Sequence, residues 1–390
     1  MLIEIRGVQF NNKGAYLMLQ ACLEQIAKLW PTASVALAPS PNSPYILRSK
    51  LGVYQKIPLQ FKGLHFHQLA WWLPKRLKTF LKHNFGFVFE SDVDLVLDAS
   101  GFAYGDQWGG RAVRSVCAEV LRLKRHQSGY IFLPQAMGPF TRKDDQQALT
   151  TALPEALLVC PRDDASLNFL QQCSQSATIQ QFADFTNLVK ADVPQNLPEN
   201  YALIIPNSAM TGRQNNHKSW HDRYLPVLTD AILAVEKAGL LPVVLNHEGP
   251  ADRVICEQLK LRFPDIHVVA PALPAVVKGW ISRAQIVISS RFHGCVSALS
   301  SGVPCIGTSW SHKYEMLFAE YHQSGMLLSP SDGAEQIFHL ISKACDTENQ
   351  KLLFERADYW RSQSEQLWQT IQQTVAEAID SGVIQLKDAG

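Results

Sequence analysis

Arg291 and His293, with one aromatic residue between them and Gly294 after them, are the residues of this chain whose types and spacing fit a defined chemistry. Arginine offers a rigid fork for a carboxylate or phosphate, and histidine carries a transferable proton near neutral pH. The pair suits an anionic substrate that has to be protonated. Either residue alone also fits an ordinary surface or capping role, so the elements around them matter. Ile286-Val287-Ile288 has the length and β-branching of a buried strand, Ser289-Ser290 forms a polar turn, and residues 295–301 are compatible with a helix. A strand entering a helix through such a turn puts the turn at the carboxyl edge of a parallel sheet, beneath the positive end of the helix, where anions bind. Gly294 has no Cβ and leaves the N–H groups of the first helical turn open to a ligand. Gly302-Val303-Pro304 ends the helix, and residues 305–308 read as the next strand. Lys313 lies just beyond, either as a charge for a leaving phosphate or as a solvated loop lysine.

The same alternation of strand, turn and helix recurs along the chain and supplies further candidates. A strand at 2–5 leads through Asn11-Asn12-Lys13-Gly14 into a helix over 15–29. This turn lacks the spaced glycines of a dinucleotide fingerprint, and Asn12 and Lys13 either line a ligand site or turn and cap the chain. The strand at 94–98 precedes a turn with two glycines, in which Asp98, Ser100 and Asp106 are candidates for holding sugar hydroxyls or for capping the helix near Arg111. Arg213 belongs to the loop 206–219, which reads either as closing over a phosphate or as a solvated, mobile loop. His247 and Glu248 follow the strand 241–245 at the same kind of sheet edge as Arg291, and Asp252 starts the next helix, where its charge suits the dipole.

Two α/β series imply two doubly wound domains, at 1–189 and 201–351, joined by the polar, proline-containing linker 190–200 and followed by a helical tail, 352–390. A length of 390 residues agrees with two cores. The net charge of +1 argues against nucleic-acid binding through bulk positive charge, so charged sites are local. Eight cysteines without paired CxxC spacing suggest neither zinc nor a redox dithiol, and a reducing cytoplasm is the simplest setting. No metal-ligand cluster is visible. His65 and His67 alternate as in a strand without an identifiable third ligand. The segment 65–83 mixes Trp71, Trp72, Leu73, Leu77, Phe80 and Leu81 with lysines and Arg76. It reads either as an interdomain packing helix interrupted at Pro74 or as peripheral contact with an anionic membrane.

Arg291-Phe292-His293-Gly294 with Gly302-Val303-Pro304 resembles the signature of the polysaccharide pyruvyl transferase family. Asn12-Lys13-Gly14-Ala15, Asp98-Ala99-Ser100-Gly101, Gly138-Pro139, Arg162-Asp163 with Ser166, and His247 with Asp252 resemble its other landmarks, in the same order. The resemblance implies two Rossmann-like domains facing a cleft (GT-B-like), and transfer of a pyruvyl group from phosphoenolpyruvate to a sugar as a ketal. It implies His293 as proton donor and Arg291 as donor-binding arginine. The turn chemistry adds Gly294, Arg213, His247 and Lys313 as candidates on the donor side and Asn12, Lys13, Asp98, Ser100 and Asp106 on the acceptor side. Phosphoenolpyruvate enters as a substrate, and no cofactor is implied. Many members carry an acidic residue where this chain has Ala15. Two other readings remain: a GT-B glycosyltransferase using a nucleotide sugar, for which Glu315 is the carboxylate in range, and a glycan-binding protein without turnover.

Overall fold

The computed structural model describes residues 1–390 except 62–63, 66–68, 213–217, 310–312 and 388–390, with the backbone alone described at 60–61 and 64–65. The described strands are β1 (Leu2–Arg6), β2 (Ser34–Leu37), β3 (Tyr54–Lys56), β4 (Gln60–Phe61), β5 (Leu64–His65), β6 (Phe87–Val88), β7 (Leu95–Asp98), β8 (Gly129–Gln135), β9 (Leu158–Pro161), β10 (Tyr201–Ile205), β11 (Leu241–Leu245), β12 (His267–Val269), β13 (Ile286–Ser289), β14 (Cys305–Thr308) and β15 (Leu327–Leu328). The described helices are α1 (Lys13–Leu29), α2 (Tyr45–Ser49), α3 (Leu69–Trp72), α4 (Lys75–Phe85), α5 (Gly110–Arg125), α6 (Lys143–Ala152), α7 (Asp164–Cys173), α8 (Ser219–Lys237), α9 (Gly249–Arg262), α10 (Pro274–Ser282), α11 (Phe292–Ser300), α12 (Lys313–Glu320), α13 (Ala334–Ala344) and α14 (Thr347–Asp380).

Two parallel sheets organise these elements. One has the order β6-β3-β2-β1-β7-β8-β9, the other β12-β11-β10-β13-β14-β15, and β4 and β5 form a separate antiparallel pair. In each sheet the order reverses beside the first strand, at β1/β7 and at β10/β13, which is the doubly wound pattern. Strands covered on both faces need apolar residues throughout. Tyr201 to Ile205 and Ile286 to Ile288 meet that need and are buried without alternation.

The expected segments were contiguous, whereas the contacts are not. Met1–Phe10, Met18–Phe185 and Gln363–Gly390 make one compact unit; Asn11–Leu17 and Thr186–Ser362 make the other. The first turn of α1 thus groups with the second unit, and the single 34-residue helix α14 is shared out at Gln363. Each unit has its own core, around Val96, Val113 and Phe132 in the first and around Leu203, Ile232 and Ile288 in the second. All eight cysteines are free thiols, seven of them buried. Among the described residues no helix is long and apolar enough to cross a membrane.

Candidate functional site

The second unit gathers the residues that the sequence singles out most strongly. β13 ends at Ser289, and α11 starts at Phe292, three residues earlier than its composition suggests. His293 and Gly294 therefore belong to the first helical turn, while Arg291 precedes it in extended conformation. The switch point between β10 and β13 is tied by Asn207 and two tyrosines. Asn207 Nδ2 and Tyr314 Oη donate to the Ser290 carbonyl at 2.8 and 2.9 Å, and Tyr224 Oη donates to Ser290 Oγ at 2.6 Å. This fixes the backbone immediately before Arg291.

The guanidinium of Arg291 does not stand open. Its Nε and Nη2 donate to the two oxygens of Asp252 at 2.9 and 2.5 Å, and its Nη1 meets the Glu248 carboxylate. Asp252 lies in the first turn of α9, fully buried, and also accepts the backbone N–H groups of Ser208 (2.9 Å) and Glu248 (3.2 Å). Its charge serves the arginine more than the helix dipole. Burial pushes the Asp252 carboxyl up to about 6 and the Arg291 guanidinium down to about 10, and the two-point contact between them opposes both shifts by favouring the charged forms. Asp252 aims the arginine through a two-point contact, while Glu248, with more than a quarter of its side chain exposed, is the more easily displaced partner.

Asn12 Oδ1 accepts the N–H groups of Gly14 and Ala15 at 2.9 and 3.2 Å. It caps α1 and starts that helix at Lys13, two residues before the expected position. The capping reading of Asn12 is the one the structure bears out. Gly14 is required for a different reason: a Cβ there would overlap the His293 ring. His293 is half-buried and packs edge-on to Phe292, with ring centroids 5.4 Å apart. Lys13 Nζ donates to the Ala272 carbonyl, and burial lowers its ammonium below the ordinary value. Lys13, expected beside the acceptor residues, groups instead with the donor-side candidates of the second unit.

His247 sits at the carboxyl end of β11 and is 5% exposed. Burial first, then the positive fields of Arg291, His293 and Lys13, push its pKa well below the ordinary histidine value. The neutral form is favoured, which suits the imidazole to hydrogen bonding and not to giving up a proton. His247 Nδ1 and the neighbouring Asn246 Oδ1 are buried with no hydrogen-bond partner among the described residues. Orphaned polar atoms of this kind call for a ligand or an ordered water. The cluster thus sets cationic groups and a helix N-terminus, which attract an anion, beside a neutral imidazole at the carboxyl edge of a parallel sheet, while Asn246 Oδ1, an acceptor, takes only a donor such as a hydroxyl or a water.

Three expectations need correction. Gly294 does not open space for a ligand: a Cβ there would meet Ser289 Oγ at 2.5 Å and Ile205 Cδ1 at 3.3 Å, so the glycine lets α11 pack on β13 and β10. Asp98 and Ser100, expected near sugar hydroxyls, are turned toward each other. Asp98 is fully buried and accepts Tyr104 Oη and Tyr130 Oη at 2.7 Å each, the Ser100 N–H at 3.0 Å and the Ser100 hydroxyl. Its acceptor positions are filled by protein groups. Asp106 accepts the Thr141 N–H at 2.9 Å and pairs with Arg142 at 3.3 Å, which ties one loop to the next; the Thr141 side chain first, then its N–H and Arg142, hold the carboxyl below the usual range. Lys313 opens α12 with its ammonium 5.1 Å from the Phe292 ring centre, and Arg213 lies outside the described residues. The landmark Asp163 caps α7 by accepting the Ser166 N–H at 2.8 Å, and Arg162 pairs with Asp184 at 3.4 Å.

The fold defines a class before a family: a two-domain α/β protein, Rossmann-like in both units, with Arg291 and His293 at the switch point of the second. Solved structures share that fold. The putative UDP-N-acetylglucosamine 2-epimerase of Listeria monocytogenes aligns over 96% of each chain at 12% identity, with a TM-score of 0.61. MnaA of S. aureus, solved with UDP, aligns over 96% of each chain at 12% identity and a TM-score of 0.55. HepE of Anabaena, solved with UDP and glucose, covers 98% of this chain and 100% of its own at 13% identity and a TM-score of 0.51. The architecture is accordingly GT-B-like. No curated protein sequence matches the chain. The profile of the polysaccharide pyruvyl transferase family matches residues 12–312. The chain belongs to that family.

Proposed function

We propose that the protein transfers the pyruvyl group of phosphoenolpyruvate to two hydroxyls of a sugar in a glycan or glycan precursor, leaving a pyruvate ketal. The observation that carries this reading is the packing of the His293 ring against Gly14, which puts His293, two residues after Arg291, beside the first turn of α1 that carries Lys13. Phosphoenolpyruvate has two anionic groups on an enol carbon, and that carbon becomes electrophilic only when the methylene is protonated. His293 as imidazolium gives that proton, converting the methylene to a methyl group. Arg291, Lys13 and the N-terminus of α11 hold the carboxylate and phosphate, with His247 hydrogen-bonded to one of them. One sugar hydroxyl adds to the central carbon, the carbon–oxygen bond to phosphate breaks, and a second hydroxyl closes the ketal. Of the two hydroxyl protons released, one restores His293 and the other leaves with phosphate. The positive charge comes from side chains, and the reading assigns no resident cofactor.

The deciding experiment supplies phosphoenolpyruvate and candidate glycans to the protein, then follows inorganic phosphate and the ketal methyl resonance by NMR. Both signals together support the reading. Release of a nucleotide from a nucleotide sugar would replace it with glycosyl transfer, and release of neither product would leave a binding protein.

The surface of α3 and α4 supports a location for this activity. Leu69, Trp72, Leu77, Phe80 and Phe85 are exposed there, Trp72 at 84%, beside Lys75 and Arg76. Such a face suits the boundary of an anionic bilayer, and on this reading the enzyme works in the cytoplasm against the inner face of the membrane. Sedimentation with phosphatidylglycerol vesicles but not with phosphatidylcholine vesicles is the expected result.

A further inference from the structure

The first unit contains a cavity lined by none of the residues gathered around Arg291. It measures about 290 Å³ and lies at the carboxyl ends of β1 and β2, between the segments Gly7-Val8-Gln9 and residues 37–43. Carboxyl ends of parallel strands next to a switch point are where ligands enter doubly wound sheets, and here the switch is at β1/β7. The volume falls just below the roughly 300–1,000 Å³ of small-molecule pockets, enough for one ring and not for a chain.

The lining narrows the ligand class. Gln9, Ser40, Asn42 and Ser43 bring uncharged polar groups, and Val8 and Pro39 bring apolar surface. Two charged residues, Glu4 and Arg6, also reach the cavity, but each is already neutralised. Lys56 Nζ lies 2.5 Å from Glu4 and 3.3 Å from Glu119, and Arg6 pairs with the other oxygen of Glu119. Glu4, Lys56 and Glu119 are buried, so two cations and two carboxylates form a compensated floor. A phosphate or carboxylate entering this pocket would find no uncompensated positive charge and would lose its hydration. A pyranose offers what the lining does accept: a ring of hydroxyls for the polar side chains and a C–H face for the apolar ones.

We propose that this cavity binds a single uncharged sugar residue of the acceptor glycan. The assignment of the sugar as acceptor rests on the proposed function; the preference for a neutral pyranose rests on the lining alone.

The test uses the full-length protein and uncharged methyl glycosides of glucose, galactose and mannose, with methyl glucuronide and phosphoenolpyruvate as anionic probes, followed by saturation-transfer NMR. At least one neutral glycoside is expected to bind, and to bind more tightly than the glucuronide. Ser40→Trp places an indole at an exposed position on the rim and should lower glycoside affinity at least tenfold while leaving phosphoenolpyruvate binding as in the parent. Should that variant fail to fold, Gln9→Ala provides a milder version with a severalfold loss. Absence of binding by every neutral glycoside, a preference for the glucuronide, or parental affinity in both variants overturns the proposal. Glycoside binding without phosphate release would retain the pocket and remove pyruvyl transfer; phosphate release with an unaltered glycan KM in Ser40→Trp would do the reverse.

Discussion

At the scale of single residues, the candidate site depends on which group holds a proton and which holds an anion. His247 is the less suited of the two histidines to be an acid, because burial and the neighbouring cations keep it neutral. His293→Ala should therefore lower turnover by roughly 10²–10⁴-fold while donor affinity, measured by calorimetry with phosphoenolpyruvate, stays near the parental value. Near-parental turnover would take the acid role away from His293. Glu248 leads to a prediction of the opposite sign. Its carboxylate already occupies one side of the Arg291 guanidinium, so an incoming anion has to displace it. Glu248→Gln should tighten binding of phosphate or phosphoenolpyruvate by about tenfold, the worth of roughly 1.4 kcal/mol. Unchanged or weaker binding would mean that the anion sits elsewhere. Asp252 behaves differently: with four donors on a fully buried carboxylate, it holds the arginine in place and is not available for exchange.

At the scale of elements, two glycines set the spacing. Gly294 permits α11 to lie on β13, and Gly14 permits α1 to begin against the His293 ring. Gly294→Ala forces a Cβ onto Ser289 Oγ and should cost about 1–3 kcal/mol, as overpacked sites do, read as a fall in denaturation midpoint with the denaturant slope unchanged. A midpoint equal to the parental one would show that the strand and helix have slack. The strands were legible in the sequence because Ile286-Val287-Ile288 and Tyr201 to Ile205 are unbroken apolar runs of strand length, and a parallel sheet buried on both faces demands such runs. Helix starts were less legible. The first turn of α11 consists of Phe292, His293 and Gly294, whose types favour no particular conformation, and packing on the sheet decided it. Sequence reasoning also missed the tetrad of Glu4, Arg6, Lys56 and Glu119, because residues on β1, β3 and α5 carry no mark of their pairing. The one available signal was charge inside strands that otherwise read as apolar.

At the scale of the whole molecule, the buried neutral histidine couples the site to stability. In the unfolded chain His247 takes up a proton near pH 6.5, whereas the folded chain refuses it until well below that value. The unfolded state then binds more protons than the native one, so stability is complete above about pH 6.5 and falls as the pH drops below it. Denaturant midpoints measured between pH 7.5 and 5 should show this decline, and His247→Gln should flatten it. An equal decline in both proteins would assign the acid sensitivity to other groups. The chain's own order of residues determined two α/β series, the parallel strands within them, and the Arg291-Phe292-His293-Gly294 turn that marks the family, because apolar periodicity and local turn chemistry are properties of neighbours along the chain. Tertiary structure alone decided that Asn11 to Leu17 group with the second unit, that Asp98 spends its oxygens on Tyr104, Tyr130 and Ser100, and that Arg291 rests on Asp252 and Glu248. Those pairings join residues dozens of positions apart or choose one of several partners within reach. Charge and hydrogen bonding select them only after packing has brought the candidates together.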